Sequence, residues 1–120
     1  MTGAWLRLAR PAYFAFVAAI LVVAVVPQVD APVGVANDKV NHILAFFTLA
    51  LLAGALWPEK GFWRPLLWLA GFGALIEILQ GVMDVGRDAD WADFVADVGA
   101  AVAGLGMVRV VTKLRSRQRR

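Results

Sequence analysis

Four long apolar runs with short connections take up most of this 120-residue chain. They leave few folds open. The runs are Ala12–Val26, Val40–Trp57, Trp63–Met83 and Trp91–Val111. Crossing a bilayer takes about 20 apolar helical residues, with a range of roughly 17–25. The runs are continuous, rich in Ala and Leu, and lack the two-residue alternation of membrane strands. Composition agrees. The chain is 61% hydrophobic and 18% charged, with a mean hydropathy of +0.70. A soluble domain is ~45–50% apolar and ~25% charged.

The expected fold is therefore all-α. It is one integral-membrane four-helix bundle over residues 1–120, with spans at about 11–28, 39–57, 63–83 and 90–111. A basic cytoplasmic tail is expected over 112–120. Pro11 suits the first helical position of the first span. Arg7 and Arg10 ahead of an apolar run also describe a signal peptide, with Val29 and Ala31 at its cleavage site. Pro32 directly after Ala31 disfavours that cleavage, and an uncleaved span is expected. With no Cys in the chain, disulfides and thiolate sites are excluded.

Charge placement gives an orientation. Ten of the twelve Lys and Arg residues lie ahead of the first span, in or beside the connection between the second and third, or from Arg109 at the end of the fourth onward. Lys39 and Arg87 alone occupy the other two connections. Positive residues mark cytoplasmic flanks, so both termini are expected in the cytoplasm. Trp5, Trp57 and Trp63 then fall at the inner interface and Trp91 at the outer one. The tail "RVVTKLRSRQRR" directly follows a span. It reads as a topology signal resting on anionic lipid rather than a nucleic-acid patch.

With this topology the unusual residues gather at the outer ends of helices 2–4. Asp38, Lys39 and His42 open the second span. Asp38 and His42 share a face, as do Lys39 and His42. Glu77 and Gln80, three apart, lie near the end of the third span. Arg87 follows in the connection. Asp90, Asp93 and Asp97 form one stripe of the fourth helix. Five acids face two bases in this set, a net charge of −3 with His42 neutral. Acids at membrane depth face the bundle interior, find partners and mark functional sites. A site with this charge holds protons, admits water or binds a cation. The bland readings are an N-cap for Asp38 or Asp90, a snorkelling Lys39, and a helix-bridging amide for Gln80. The same fourth helix carries small residues at Ala96, Gly99, Ala100, Ala103 and Gly104, which suit close helix packing.

These residues, in this order, resemble the VanZ-like family of small bacterial membrane proteins. The family pattern is Asp-Lys-x-x-His, read here as Asp38, Lys39 and His42. Glu-x-x-Gln follows as Glu77 and Gln80, then Arg87. Asp-x-x-x-Asn is read as Asp93 and Asp97, with Asp97 replacing the usual amide. The closing Gly-x-x-x-Gly has Ala100 in its first place and Gly104 in its second. The match covers roughly residues 37–106. It implies a multi-pass protein of the bacterial cytoplasmic membrane. Through the member that names the family, it also implies a link to tolerance of teicoplanin-type glycopeptides. It implies no defined reaction.

Four functional readings follow. The leading one is an outer polar pocket that binds a lipid headgroup, a lipid-linked envelope intermediate or a cation. The alternative is an intramembrane metal-assisted hydrolase or transferase on lipid-linked substrates. There Glu77 or His42 is the base, Asp93 and Asp97 hold a metal or water, and Arg87 steadies a phosphate. No nucleophile motif accompanies them: Thr48 is mid-span and Ser116 is in the tail. An ion pathway is third, since only Thr48 continues the polar residues inward. In the fourth, the charges only lock helix register. The expected partners are the bilayer and an envelope intermediate, with self-association left open by the small buried surface. No cofactor is evident beyond a divalent cation.

Overall fold

The computed structural model describes residues 3–26, 38–83 and 90–120. Its helices are α1 (Gly3–Val25), α2 (Asp38–Leu56), α3 (Trp63–Val82) and α4 (Trp91–Gln118). A 3-10 turn at Pro58–Lys60 joins α2 to α3. No strand occurs among the described residues. All four helices are long and apolar enough to cross a membrane.

Two boundaries differ from expectation. α1 begins at Gly3, so Pro11 lies inside the helix rather than at its first position. The stretch "AWLRLAR" is built from good helix formers. Proline removes one backbone donor, and membrane helices tolerate that loss where neighbouring groups satisfy the freed carbonyl. α4 runs on to Gln118, so most of the expected tail is helix. At 1.5 Å per residue its 28 residues span about 42 Å, more than the ~30 Å apolar core of a bilayer. Arg115 and Arg117 occupy the last turn of α4, where cations complement the helix dipole.

Consecutive helices run in opposite directions, so α1 and α3 run parallel, as do α2 and α4. Arg10 of α1 reaches the Leu56 carbonyl at the end of α2. At the opposite end, Gln80 near the end of α3 reaches Ala24 in the last turn of α1. The α2–α3 connection is tight. Lys60 N–H donates to Trp57 O at 3.0 Å, and Gly61 takes a φ of +73°. Glycine enters that left-handed region without the penalty a Cβ brings.

α4 packs mainly on α2, and α1 is the most peripheral helix. On α2 the buried residues Phe46, Leu49, Ala50 and Ala53 follow helical spacing. They meet Leu66, Leu69, Phe72 and Ile76 of α3, and Ala100, Ala101 and Leu105 of α4. Gly104 sets the α2–α4 distance. A Cβ there would lie 2.7 Å from Ala50 Cβ and 2.8 Å from Phe47 O. Large apolar side chains such as Leu8, Leu67, Val82 and Val95 point outward. So much exposed apolar surface suits lipid rather than water.

Three of the buried stripes change character at one end. On α3 the stripe Leu66, Leu69, Phe72, Gly73, Ile76 runs into Glu77 and Gln80. On α4 it runs back from Leu105, Gly104, Ala101 and Ala100 into Asp97 and Asp93. On α2, buried Phe46 is followed one turn earlier by buried His42. The α2 start, α3 end and α4 start meet at this polar end. Arg10, Lys60, Arg64 and the end of α4 belong to the other.

Candidate buried polar site

The centre of the polar end is made by three side chains from three helices. His42 Nδ1 lies 2.9 Å from Asp97 Oδ1, with Asp97 fully buried and His42 nearly so. The ring donates here when Nδ1 carries its proton. Glu77 is also fully buried. Donor atoms of His42, Glu77 and Asp97 all lie within 4.8 Å of one another. This is a compact nitrogen–oxygen donor set inside an apolar bundle.

Each donor is held by its surroundings. The His42 ring is nearly parallel to Phe46, with centroids 6.5 Å apart and a 6° interplanar angle. Phe46 in turn stacks on Phe72 at 5.7 Å. Asp97 owes its space to Gly73, where a Cβ would stand 3.1 Å from Asp97 Oδ2 and 3.5 Å from Phe46 Cε1. Glu77 Oε2 accepts the backbone N–H of Asp90 at 2.8 Å. Glu77 Oε1 is buried with no hydrogen-bond partner among the described residues. Most buried polar atoms are hydrogen-bonded, so this one calls for an explanation.

At the edge of this cluster, Lys39 Nζ lies 3.8 Å from Asp93 Oδ1. Asp93 is nearly buried, whereas Lys39 is about half exposed. Asp90 is exposed and caps α4, its Oδ1 accepting from Ala92 N at 2.9 Å. Gln80 uses its amide N–H on the Ala24 carbonyl at 2.9 Å, which bridges α3 to α1. The expected cluster thus divides. His42, Glu77 and Asp97 form its centre, Lys39 and Asp93 its rim, and Asp90 and Gln80 serve helix ends. The Asp38 side chain and Arg87 lie outside the described residues. Of the catalytic candidates, Glu77 and His42 are central and Asp93 is at the rim. Thr48, the hydroxyl nearest mid-bundle by sequence, donates back to Leu44 O at 2.7 Å.

The small residues of α4 also divide. Ala100 and Gly104 are buried in the interface and Ala96 is half-buried. Gly99 and Ala103 are exposed, and nothing lies within 4 Å of the place a Gly99 Cβ would take. The buried face is turned toward Ala101 and Leu105, because Asp93 and Asp97 lie on that same face.

Two features were not singled out from sequence. One is Gly73, four residues before Glu77 and so on its face, a spacing that could have flagged it. The other is the contact role of Arg10 at the opposite end. Its guanidinium donates to Leu56 O at 3.1 and 2.9 Å and to Glu59 Oε1 at 3.0 Å. Its carbon also lies 5.4 Å from the centre of the Trp57 ring. Arg10 therefore closes the exposed carbonyl end of α2 as well as carrying a topological charge.

In comparisons with known proteins, no match is found among curated proteins or among solved structures. The family model described as VanZ/LLP1 matches residues 6–112, nearly the whole chain. That match covers α2 and α3, most of α1 and α4, both sides of the His42–Asp97 contact, and Glu77 between them. This multi-pass membrane chain belongs to the VanZ/LLP1 family.

Proposed function

We propose that this protein binds the polar headgroup of a lipid, or of a lipid-linked envelope precursor, at its acid–histidine cluster, with a cation as the alternative occupant. The observation that carries the reading is the convergence of His42, Glu77 and Asp97 within 4.8 Å, all buried, from three helices. Isolated charges in apolar surroundings are costly unless partnered. Three such groups drawn together are better explained by a ligand than by packing.

In this reading the protein sits in the bacterial cytoplasmic membrane with both termini inside. Ten of its twelve Lys and Arg residues support that arrangement. The polar cluster then lies at the outer leaflet, where envelope precursors and glycopeptides are found. Tolerance of teicoplanin-type glycopeptides is the phenotype to examine. The test is a double variant, Glu77→Gln with Asp93→Asn, expressed in a strain lacking the wild-type gene. Loss of glycopeptide or envelope-stress tolerance at unchanged membrane abundance is the expected result. Unchanged tolerance would count against the reading.

A second reading, metal-assisted hydrolysis or transfer on a lipid-linked substrate, uses the same donors. It is favoured by the imidazole beside two buried carboxylates. Turnover of lipid phosphates by the purified chain would establish it.

A further inference from the structure

We infer that His42, Glu77 and Asp97 form the ligand set of a divalent transition-metal ion. This assignment rests on the pocket being the binding site described above, and it names what the protein holds there directly.

Four observations support it. The first is spacing. Metal bonds of ~2.0–2.2 Å to His nitrogen and carboxylate oxygen place neighbouring ligands about 3 Å apart. His42 Nδ1 and Asp97 Oδ1 stand 2.9 Å apart, and a Glu77 oxygen lies within 4.8 Å of both. The second is charge. Two carboxylates are fully buried, and the buried polar residues include no Lys or Arg among those described. A dication offsets both carboxylates at once. The third is Glu77 Oε1, buried and without a hydrogen-bond partner among the described residues. The fourth is the outer support. Asp90 N–H holds the other oxygen of Glu77, and the His42 ring lies parallel to Phe46. Groups that orient ligands in this way are typical of metal sites.

The donor types narrow the ion. Calcium and magnesium take oxygen ligands. Imidazole with carboxylates suits zinc, manganese, cobalt or iron. Three protein ligands leave a coordination position open. Water or a phosphate oxygen from a headgroup would take it, beside the Lys39–Asp93 pair.

The experiment uses the full chain in detergent micelles, stripped with EDTA and titrated with Co2+. Visible absorption bands saturating at one Co2+ per chain, displaced by Zn2+ but not by millimolar Mg2+, are expected. Apparent affinity should fall at least tenfold in Glu77→Gln and in Asp97→Asn, with helical circular dichroism and micelle size unchanged. No saturable spectrum in the wild-type chain overturns the assignment, whatever the variants do. Equal Co2+ affinity in folded variants also overturns it. The two readings fail separately. Absent Co2+ binding with loss of tolerance in the Glu77→Gln and Asp93→Asn double variant removes the metal and keeps the pocket. Specific Co2+ binding with unchanged tolerance keeps the metal and removes the proposed function.

Discussion

Glu77 of α3 accepts the backbone N–H of Asp90, the residue that caps α4. In a capping box, an acid three residues after the cap reaches back to that same N–H. Here the third residue is Asp93, and it lies near Lys39 instead. Glu77 fills the role from a different helix. One carboxylate oxygen thus anchors the positive end of α4, and its twin faces the buried interior. The start of α4 and the donor set are therefore built from the same side chain.

Glu77→Ala should loosen α4 at its first turn. The Asp90 N–H loses its acceptor and the core gains a void. We expect about 1–3 kcal/mol of destabilisation. Amide hydrogen exchange should rise over residues 90–94 and stay unchanged near Gly61. Uniform exchange along the chain would contradict this link.

Gly104 and Gly99 should respond oppositely to alanine. At Gly104 the new methyl meets Ala50 Cβ and the Phe47 carbonyl below 3 Å. The backbone carbonyl cannot swing aside, so α2 and α4 must separate, at about 1–3 kcal/mol. At Gly99 the methyl enters open space, and alanine gains up to ~1 kcal/mol in helix propensity. Thermal unfolding in detergent should fall for Gly104→Ala and hold or rise for Gly99→Ala.

Gly73→Ala tests the space beside Asp97. Its methyl would crowd Asp97 Oδ2 at 3.1 Å. The Asp97 side chain, 2.9 Å from His42, must then give by a few tenths of an ångström. We expect tolerance to drop in cells while membrane abundance stays near wild type. Wild-type tolerance in this variant would mean that the carboxylate position is not critical.

At the other end, Arg10→Ala should cost more than Glu59→Ala. The Arg10–Glu59 pair is partly exposed, and such pairs contribute about 0–1 kcal/mol. Arg10 also closes the Leu56 carbonyl and lies over Trp57, adding roughly 1–2 kcal/mol. Equal melting temperatures for the two variants would show that the carbonyl contact is negligible.

Orientation is open to direct labelling, because the chain has no native Cys. In intact cells a membrane-impermeant maleimide should modify Asp90→Cys and leave Ser116→Cys untouched. Permeabilised cells should label both. Reversed labelling would place the pocket on the cytoplasmic side.

Much of this protein is legible along the chain. Four continuous apolar runs demand four helices in lipid, since only helices or a closed barrel satisfy the backbone there and the runs lack the alternation of barrel strands. Helical spacing puts Asp93 and Asp97 on one face. The family pattern covers His42, Glu77 and both of these acids. Less legible were the helix ends. Pro11 reads as a start, yet α1 continues through it because "AWLRLAR" remains a strong helical stretch.

Tertiary structure decided which face of each helix meets which neighbour. In water, the contrast between apolar and polar faces would have announced it. In lipid the outside of a helix is as apolar as its inside, so Gly99, Ala103 and Gly104 look equivalent until α4 is placed against α2. The same placement sends Gln80 to Ala24, gives Glu77 to Asp90, and opens room at Gly73 for Asp97. The sequence determined that acids and a histidine would lie on apolar helices of spanning length. Only the rotation of three helices against one another, set by close contacts of small residues, decided that His42, Glu77 and Asp97 would meet.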